Sequence, residues 1–167
     1  MRRYKMEIER KFLVDTQLID FEINNCELKK IEQYYIALIP EVRFRKIIAE
    51  ETEYFLTVKG EGTLGRSEFE SPINETLFEK MKECIIGHLI SKKRYVVKLN
   101  DCLNCELDIY EGRLEGLVTV EIEFKNEKMA KKIGKSLPKW FGKEITGDKK
   151  YKNKILSQED YFNKSSM

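Results

Sequence analysis

Residues 5–14, KMEIERKFLV, alternate charged and apolar side chains. Successive side chains of a strand point to opposite faces, so Glu7, Glu9 and Lys11 share one face and Met6, Ile8 and Phe12 the other. Arg10 is the exception, a charge on the apolar face. One such strand could simply give its charged face to water. The constraint comes from repetition, because the same alternation returns on strand after strand.

Strand-like segments lie at 4–14, 31–38, 41–49, 52–60, 66–73, 90–100, 103–111 and 117–125. Pro40, the glycine-rich stretch 60–65, Asn100-Asp101 and Gly112/Gly116 separate them, and the short connections imply antiparallel neighbours. Helices are expected at 74–86, 126–136 and about 148–161. The first has Asn74 as N-cap and an apolar stripe of Leu77, Phe78, Met81, Cys84 and Ile85. Residues 15–30 read as a short helix and a loop. With 167 residues and no linker or repeat, residues 1–167 form one domain.

Keeping one parity per strand collects basic residues Lys11, Arg43, Arg45, Lys59, Arg66, Lys92, Arg94 and Lys98. The same faces carry the acids Glu7, Glu9, Glu68, Glu70, Glu106, Asp108, Glu121 and Glu123. Helices must cover the opposite, apolar face. If the sheet closes, the charges line the bore of an antiparallel β-barrel, an α+β fold that is mostly β. Buried charge is costly unless it pairs, binds metal or binds a charged ligand. Carboxylates at E-x-E spacing are hard donors for Mg²⁺ or Mn²⁺. Arg and Lys at the same depth suit phosphate oxygens. The composition reads as a site for a polyphosphate–metal complex. A one-residue bulge near KKRYVVKLN would exchange Lys92 for Lys93 in the bore.

Other classes fare worse. Net charge is only +2, which argues against a general nucleic-acid binder. No apolar run reaches the ~18–20 residues of a membrane span, and MRRYKMEIER has no signal-peptide core, so a cytoplasmic location is expected. Cys102 and Cys105 form a lone C-x-x-C without a second pair or a nearby histidine, better read as a hairpin loop than as a zinc or redox site. His88 is the single histidine, which leaves little room for His-based nucleophilic catalysis.

The chain resembles the CYTH superfamily of triphosphate tunnel metalloenzymes. EIERKFLV matches its N-terminal E-x-E-x-K signature, and EVRFRK, TVKGEG, RSEFE, KKRY, CELDIY and VEIEF resemble its later blocks in order. WFGKEITGDKKYKNKIL looks like the C-terminal segment of the small bacterial members. The resemblance implies an eight-stranded tunnel that binds a triphosphate with Mg²⁺ or Mn²⁺. It implies metal-dependent hydrolysis, with inorganic tripolyphosphate as the small-molecule substrate. An adenylyl cyclase, a thiamine triphosphatase and a non-catalytic polyphosphate- or nucleotide-binding module are the alternatives. Lys11, Arg43, Arg45, Lys59, Lys92 and Arg94 match the triphosphate-holding positions, with Arg66 and Lys150 added to them. Glu7, Glu9, Glu121 and Glu123 match metal-binding carboxylates, and Glu68, Glu70, Glu106 and Asp108 match further acidic tunnel positions. Glu7, Glu9, Lys11 and Tyr35 form the expected catalytic group. Tyr35, on one face with Gln33, reads equally as a packed wall residue. Lys150 and Lys152 belong to a basic C-terminal helix that either plugs one mouth or is solvated, the latter favoured for Lys152. A homodimer is compatible with the small members of the family.

Overall fold

In the computed structural model the described residues are 3–60, 65–133 and 136–160, with the backbone alone described at 3–7 and 65–66. The side chains of Glu7 and Arg66 therefore lie outside the described set. The strands are β1 (Arg3–Val14), β2 (Glu27–Leu38), β3 (Glu41–Ile48), β4 (Thr52–Lys59), β5 (Gly65–Pro72), β6 (Ile86–Asn100), β7 (Leu103–Tyr110), β8 (Val118–Glu123) and β9 (Phe141–Glu144). Their hydrogen-bonded order is β5-β4-β3-β2-β6-β7-β8-β1-β9, and β5 also pairs with β1. Every pairing is antiparallel.

The ring of pairings closes through β1, which is shared end to end. Arg3–Ile8 pair with β5, and Glu9–Leu13 pair with β8. Beyond the end of β5, β9 takes its place alongside Phe12 and Val14. β9 was not expected from the sequence. It is four residues long and too short for its alternation to stand out.

Period-two alternation then sorts the side chains. Ile8, Phe12, Leu107, Val120, Ile122 and Phe124 form one outer core with Ala130, Trp140 and Phe141. α2 (Glu127–Lys132) lies within the expected 126–136, of which 134–135 fall outside the described residues; it supplies Ala130, and Asn126 caps it by accepting the Met129 amide. The segment before β2 contributes Ile19, Phe21, Ile23 and Cys26 to the same core. It contains two 3₁₀ turns, Thr16–Leu18 and Ile23–Asn25, in place of a helix.

α1 (Glu75–Met81) covers the other flank. Asn74 accepts the Leu77 amide at 2.8 Å, as its N-cap position requires. Phe78 is fully buried among Tyr34, Phe44 and Tyr54, with ring centroids 5.0–6.1 Å away. The helix ends at Met81 and a 3₁₀ turn follows, so the 74–86 expectation was too long.

A third cluster fills one end of the barrel: Tyr35, Ile90, Tyr110, Leu114, Leu117, Ile145, Tyr151 and Leu156. The chain after β9 supplies it with a 3₁₀ turn (Lys149–Tyr151) and α3 (Asn153–Leu156), where one helix over 148–161 was expected. This closing segment lies close against β6. The Ser157 carbonyl accepts the His88 amide at 2.7 Å, and a Cβ on Gly87 would sit 2.4 Å from that carbonyl. Gly87 also has φ of 71°, so only glycine fits there without strain. No helix among the described residues is long and apolar enough to cross a membrane.

Phe78→Ala should cost about 3–5 kcal/mol of unfolding free energy, whereas Leu77→Ala, on the exposed side of α1, should stay within about 0.5 kcal/mol. Urea denaturation checks both. Equal losses would mean that Phe78 does not seat the helix.

Candidate functional site

The bore is built from one parity of each strand. β1 contributes Glu9 and Lys11, β2 Gln33 and Tyr35, and β3 Glu41, Arg43 and Arg45. Lys59 comes from β4, Glu68 and Glu70 from β5, Lys92 and Arg94 from β6, Glu106 from β7, and Glu121 and Glu123 from β8. Ile145, Thr146, Asp148, Tyr151, Lys152 and Asn153 line it at the closed end. A second hollow, lined by Glu27, Lys29, Cys102, Lys125 and Met129 among others, shares Glu106, Glu121 and Glu123 with the first. These three carboxylates thus stand where the bore meets its open mouth.

The charges are interlocked. Lys92 Nζ donates to Asp108 Oδ2 at 2.5 Å, and Arg94 donates to both Asp108 oxygens at 2.7 Å. Arg94 also bonds Glu106, and reaches Glu121 at 3.2 Å. Lys11 Nζ pairs with Glu121 at 2.8 Å and approaches the Tyr110 hydroxyl at 3.5 Å. On the opposite wall Arg45 pairs with Glu70 at 2.9 Å, and Thr57 donates to the same oxygen. Lys59 pairs with Glu68 at 2.8 Å. The Arg45 Nε is buried with no hydrogen-bond partner.

Electrostatics follow from this crowding. Burial pushes the Lys92 ammonium down to about 8, and the neighbouring Arg94 adds to the effect. Burial would also lower Lys11, but Glu121, Tyr110 and Asp108 together hold the ammonium above its ordinary value. Burial would raise Glu121 and Asp108, yet the surrounding Lys and Arg side chains hold both below the usual carboxylate range. Arg45 is lowered by burial and by Arg43. Tyr35 is raised by burial and by Glu41, and accepts a hydrogen bond from Gln33 Nε2 at 2.8 Å.

Most of the sequence-predicted residues converge on the bore, with specific departures. Asp108, expected as a metal ligand, does not line the cavity. It is fully buried behind Lys92 and Arg94 and serves as their counter-ion. Lys92 lies inside, while Lys93 is outside and pairs with Glu111 at 3.2 Å. Lys98 has the right parity but sits where β6 runs past its β2 partner, exposed and paired with Asp101. Lys150 is exposed over the ring of Tyr151, and Lys152 lines the cavity in its place. The extended backbone at Lys152 breaks the helical periodicity on which the expectation rested.

Glu41 was missed, although its β3 parity with Arg43 and Arg45 was a readable signal. Thr146, Tyr151 and Asn153 had no local signal, because only chain crossing brings them to the bore. Cys105 is buried, its thiol pushed up to about 12 by that burial, while Cys102 is exposed at the β6–β7 hairpin.

Among the described residues no three His, Cys, Asp or Glu side chains are grouped as a ready metal cage. The donor chemistry nevertheless suits Mg²⁺ or Mn²⁺. Glu9 and Glu123 are directly opposed partners on β1 and β8, with Glu121 and Glu106 adjacent across β8 and β7. Arg94 already bridges Glu106 and Glu121, and because Mg²⁺ is usually held by a few carboxylates plus substrate phosphates, such a cation would join this set together with the ligand.

Fold and bore together define an antiparallel β-tunnel with a charged interior. The CYTH domain model matches residues 5–151, and the chain belongs to that family. It is 41% identical over 151 residues to an inorganic triphosphatase of Nitrosomonas europaea, covering 90% of this chain and 96% of that one. It is 32% identical over 159 residues to an inorganic triphosphatase of Acetivibrio thermocellus, covering 94% and 96%. The crystal structure of an inorganic triphosphatase, 38% identical, superposes with a TM-score of 0.65 over 93% of this chain and 97% of that one.

Asp108→Asn should destabilise the protein by about 3–5 kcal/mol, because Lys92 and Arg94 would be left buried without their counter-ion. Asp108 and Glu121 titrate lower in the folded than in the unfolded chain. Their stabilisation is therefore full above the unfolded carboxylate pKa of about 4 and is lost as pH falls further. The gap between wild type and Asp108→Asn in urea should narrow from pH 7 to pH 3. A constant gap would refute the counter-ion role.

Proposed function

We propose that this chain is a divalent-metal-dependent triphosphatase that hydrolyses inorganic tripolyphosphate to pyrophosphate and phosphate. One observation carries the reading: six buried or half-buried cations, Lys11, Arg43, Arg45, Lys59, Lys92 and Arg94, line one closed antiparallel ring. Such a set exceeds what the fold needs, since each buried charge costs desolvation. A linear polyanion is the ligand that uses them all. Names shared by relatives at 41% and 32% identity support the same activity.

Arg43 and Arg45 present forked donors to phosphate oxygens, and Lys11, Lys59 and Lys92 act as point charges. Arg94, fixed by Asp108 and Glu106, is rigid before the ligand arrives, so its ordering cost on binding is small. Glu9, Glu121 and Glu123, with Glu7 as a further donor from the sequence, would hold Mg²⁺ or Mn²⁺. Such a metal would supply positive charge against the negative charge that develops on the phosphate oxygens. Water attacks the terminal phosphorus in line, the bridging P–O bond breaks, and pyrophosphate leaves with the electron pair. A mouth carboxylate takes the proton from that water. Positioning and electrostatics carry most of the rate in such chemistry. The only rings among the described lining residues of the bore are Tyr35 and Tyr151, both buried. That gives a nucleobase no stacking platform and favours the inorganic substrate over ATP.

Phosphate release from tripolyphosphate with Mg²⁺ or Mn²⁺, beside ATP and an EDTA control, tests the reading. Release should need metal and favour tripolyphosphate. Arg45→Met should lower kcat/KM about 10- to 100-fold, the worth of one charged hydrogen bond, while Lys98→Met should match wild type. Tight binding without phosphate release would leave a binding module instead.

A further inference from the structure

Arg10, the charge that broke the alternation of β1, faces the outside of the barrel and is not part of the bore. Its guanidinium forks onto Glu144 of β9, with Nε to Oε1 at 2.8 Å and Nη2 to Oε2 at 2.6 Å. Its third contact is Nη1 to the Ala130 carbonyl of α2 at 3.0 Å. Glu144 Oε1 in turn accepts from the Thr146 hydroxyl at 2.7 Å. The same hydroxyl accepts the backbone N–H of Lys11 at 3.0 Å.

That last contact falls at the seam of the ring. On this edge of β1 the described pairing with β5 runs to Ile8, and β9 pairs from Phe12. The Lys11 carbonyl accepts the Ile145 amide at 2.8 Å, and among the described residues the partner of the Lys11 amide is the Thr146 hydroxyl. A backbone N–H without a partner at such a place would let the strand shift. Lys11 carries a bore ammonium paired with Glu121, so a shift of its Cα moves that charge relative to the substrate.

The geometry points to Arg10 and Glu144 as positioning residues: from the outer surface they orient the Thr146 hydroxyl, which fixes the backbone at Lys11 and so the place of its ammonium in the bore. The inference rests on the triphosphatase reading for its kinetic consequence, but not for its structural one. Exposed ion pairs add about 0–1 kcal/mol to stability, and Glu144 is 41% exposed. The Arg10 variants should therefore fold.

The test is a double-mutant cycle with Arg10→Met and Thr146→Val, plus Thr146→Ser as the conservative variant. Two readouts are taken, kcat/KM for tripolyphosphate and hydrogen exchange at the Lys11 amide. Arg10→Met and Thr146→Val should each speed exchange at Lys11 and lower kcat/KM about tenfold or more, since small misplacements are costly in such sites. Thr146→Ser should retain both properties. The double variant should be no worse than Thr146→Val alone, because Arg10 acts through that hydroxyl. Strictly additive losses, or unchanged Lys11 exchange in Arg10→Met, would overturn the relay. If wild type releases no phosphate, the triphosphatase reading fails, and the exchange arm still decides whether the relay exists.

Discussion

The desolvation of charge in the bore is the constraint on which the rest of the molecule depends. Each wall meets it by pairing. Lys92 and Arg94 share Asp108, Lys11 and Arg94 share Glu121, and Arg45 and Lys59 take Glu70 and Glu68. Pairing of this kind rarely adds net stability over an apolar core. The stability must come from elsewhere, and it comes from the outer face. Leu107, Val120 and Ile122 are wholly buried there against α2 and the Trp140–Phe141 segment. Phe44 and Phe78 are wholly buried against each other on the other flank. The barrel is thus inverted relative to a small filled one, with its hydrophobic work done on the outside.

Inversion also explains why the ring must close. An open sheet would expose the charged face to water, where Lys and Arg are screened and mobile. Closure through β1 holds cations from opposite walls at one depth. The β1 strand is divided between β5 and β8, and β9 completes the edge that β5 leaves. The chain that follows β9 then closes one end with Ile145, Tyr151 and Leu156 against Tyr35, Ile90 and Tyr110. The Tyr110 hydroxyl donates to Asn153 at 2.7 Å, so this closure is tied to a residue that also approaches Lys11. The other end keeps the carboxylates Glu106, Glu121 and Glu123, shared between the bore of paired cations and acids and the second hollow.

Two roles within the bore divide along burial. Asp108 and Lys92 are all but inaccessible and act on each other. Glu123 and Glu106 line both the bore and the second hollow, and Glu106 is held there by Arg94. Residues of one type and one parity therefore do different work according to depth. Depth depends on how far each strand has travelled round the barrel, which no single segment records.

Eight of the nine described strands, their inward parity and the chemistry of the bore could be read from the amino-acid sequence. Period-two alternation is a local property of extended backbone, and it survives whatever the strand packs against. Arg43 with Arg45, Lys92 with Arg94 and Glu121 with Glu123 were legible on that basis. The end of α1 was less so, because a short helix ends where packing stops. Tertiary structure alone decided the rest. It set Asp108 behind two cations, carried Lys98 past the end of the barrel, and exchanged Lys150 for Lys152 at the closed end. It also brought Thr146 and Glu144 to the seam beside Lys11, more than 130 residues away. Such contacts depend on register, on strand length relative to neighbours and on where the chain crosses the barrel. Those are relations between segments, so they have no signature within any one of them.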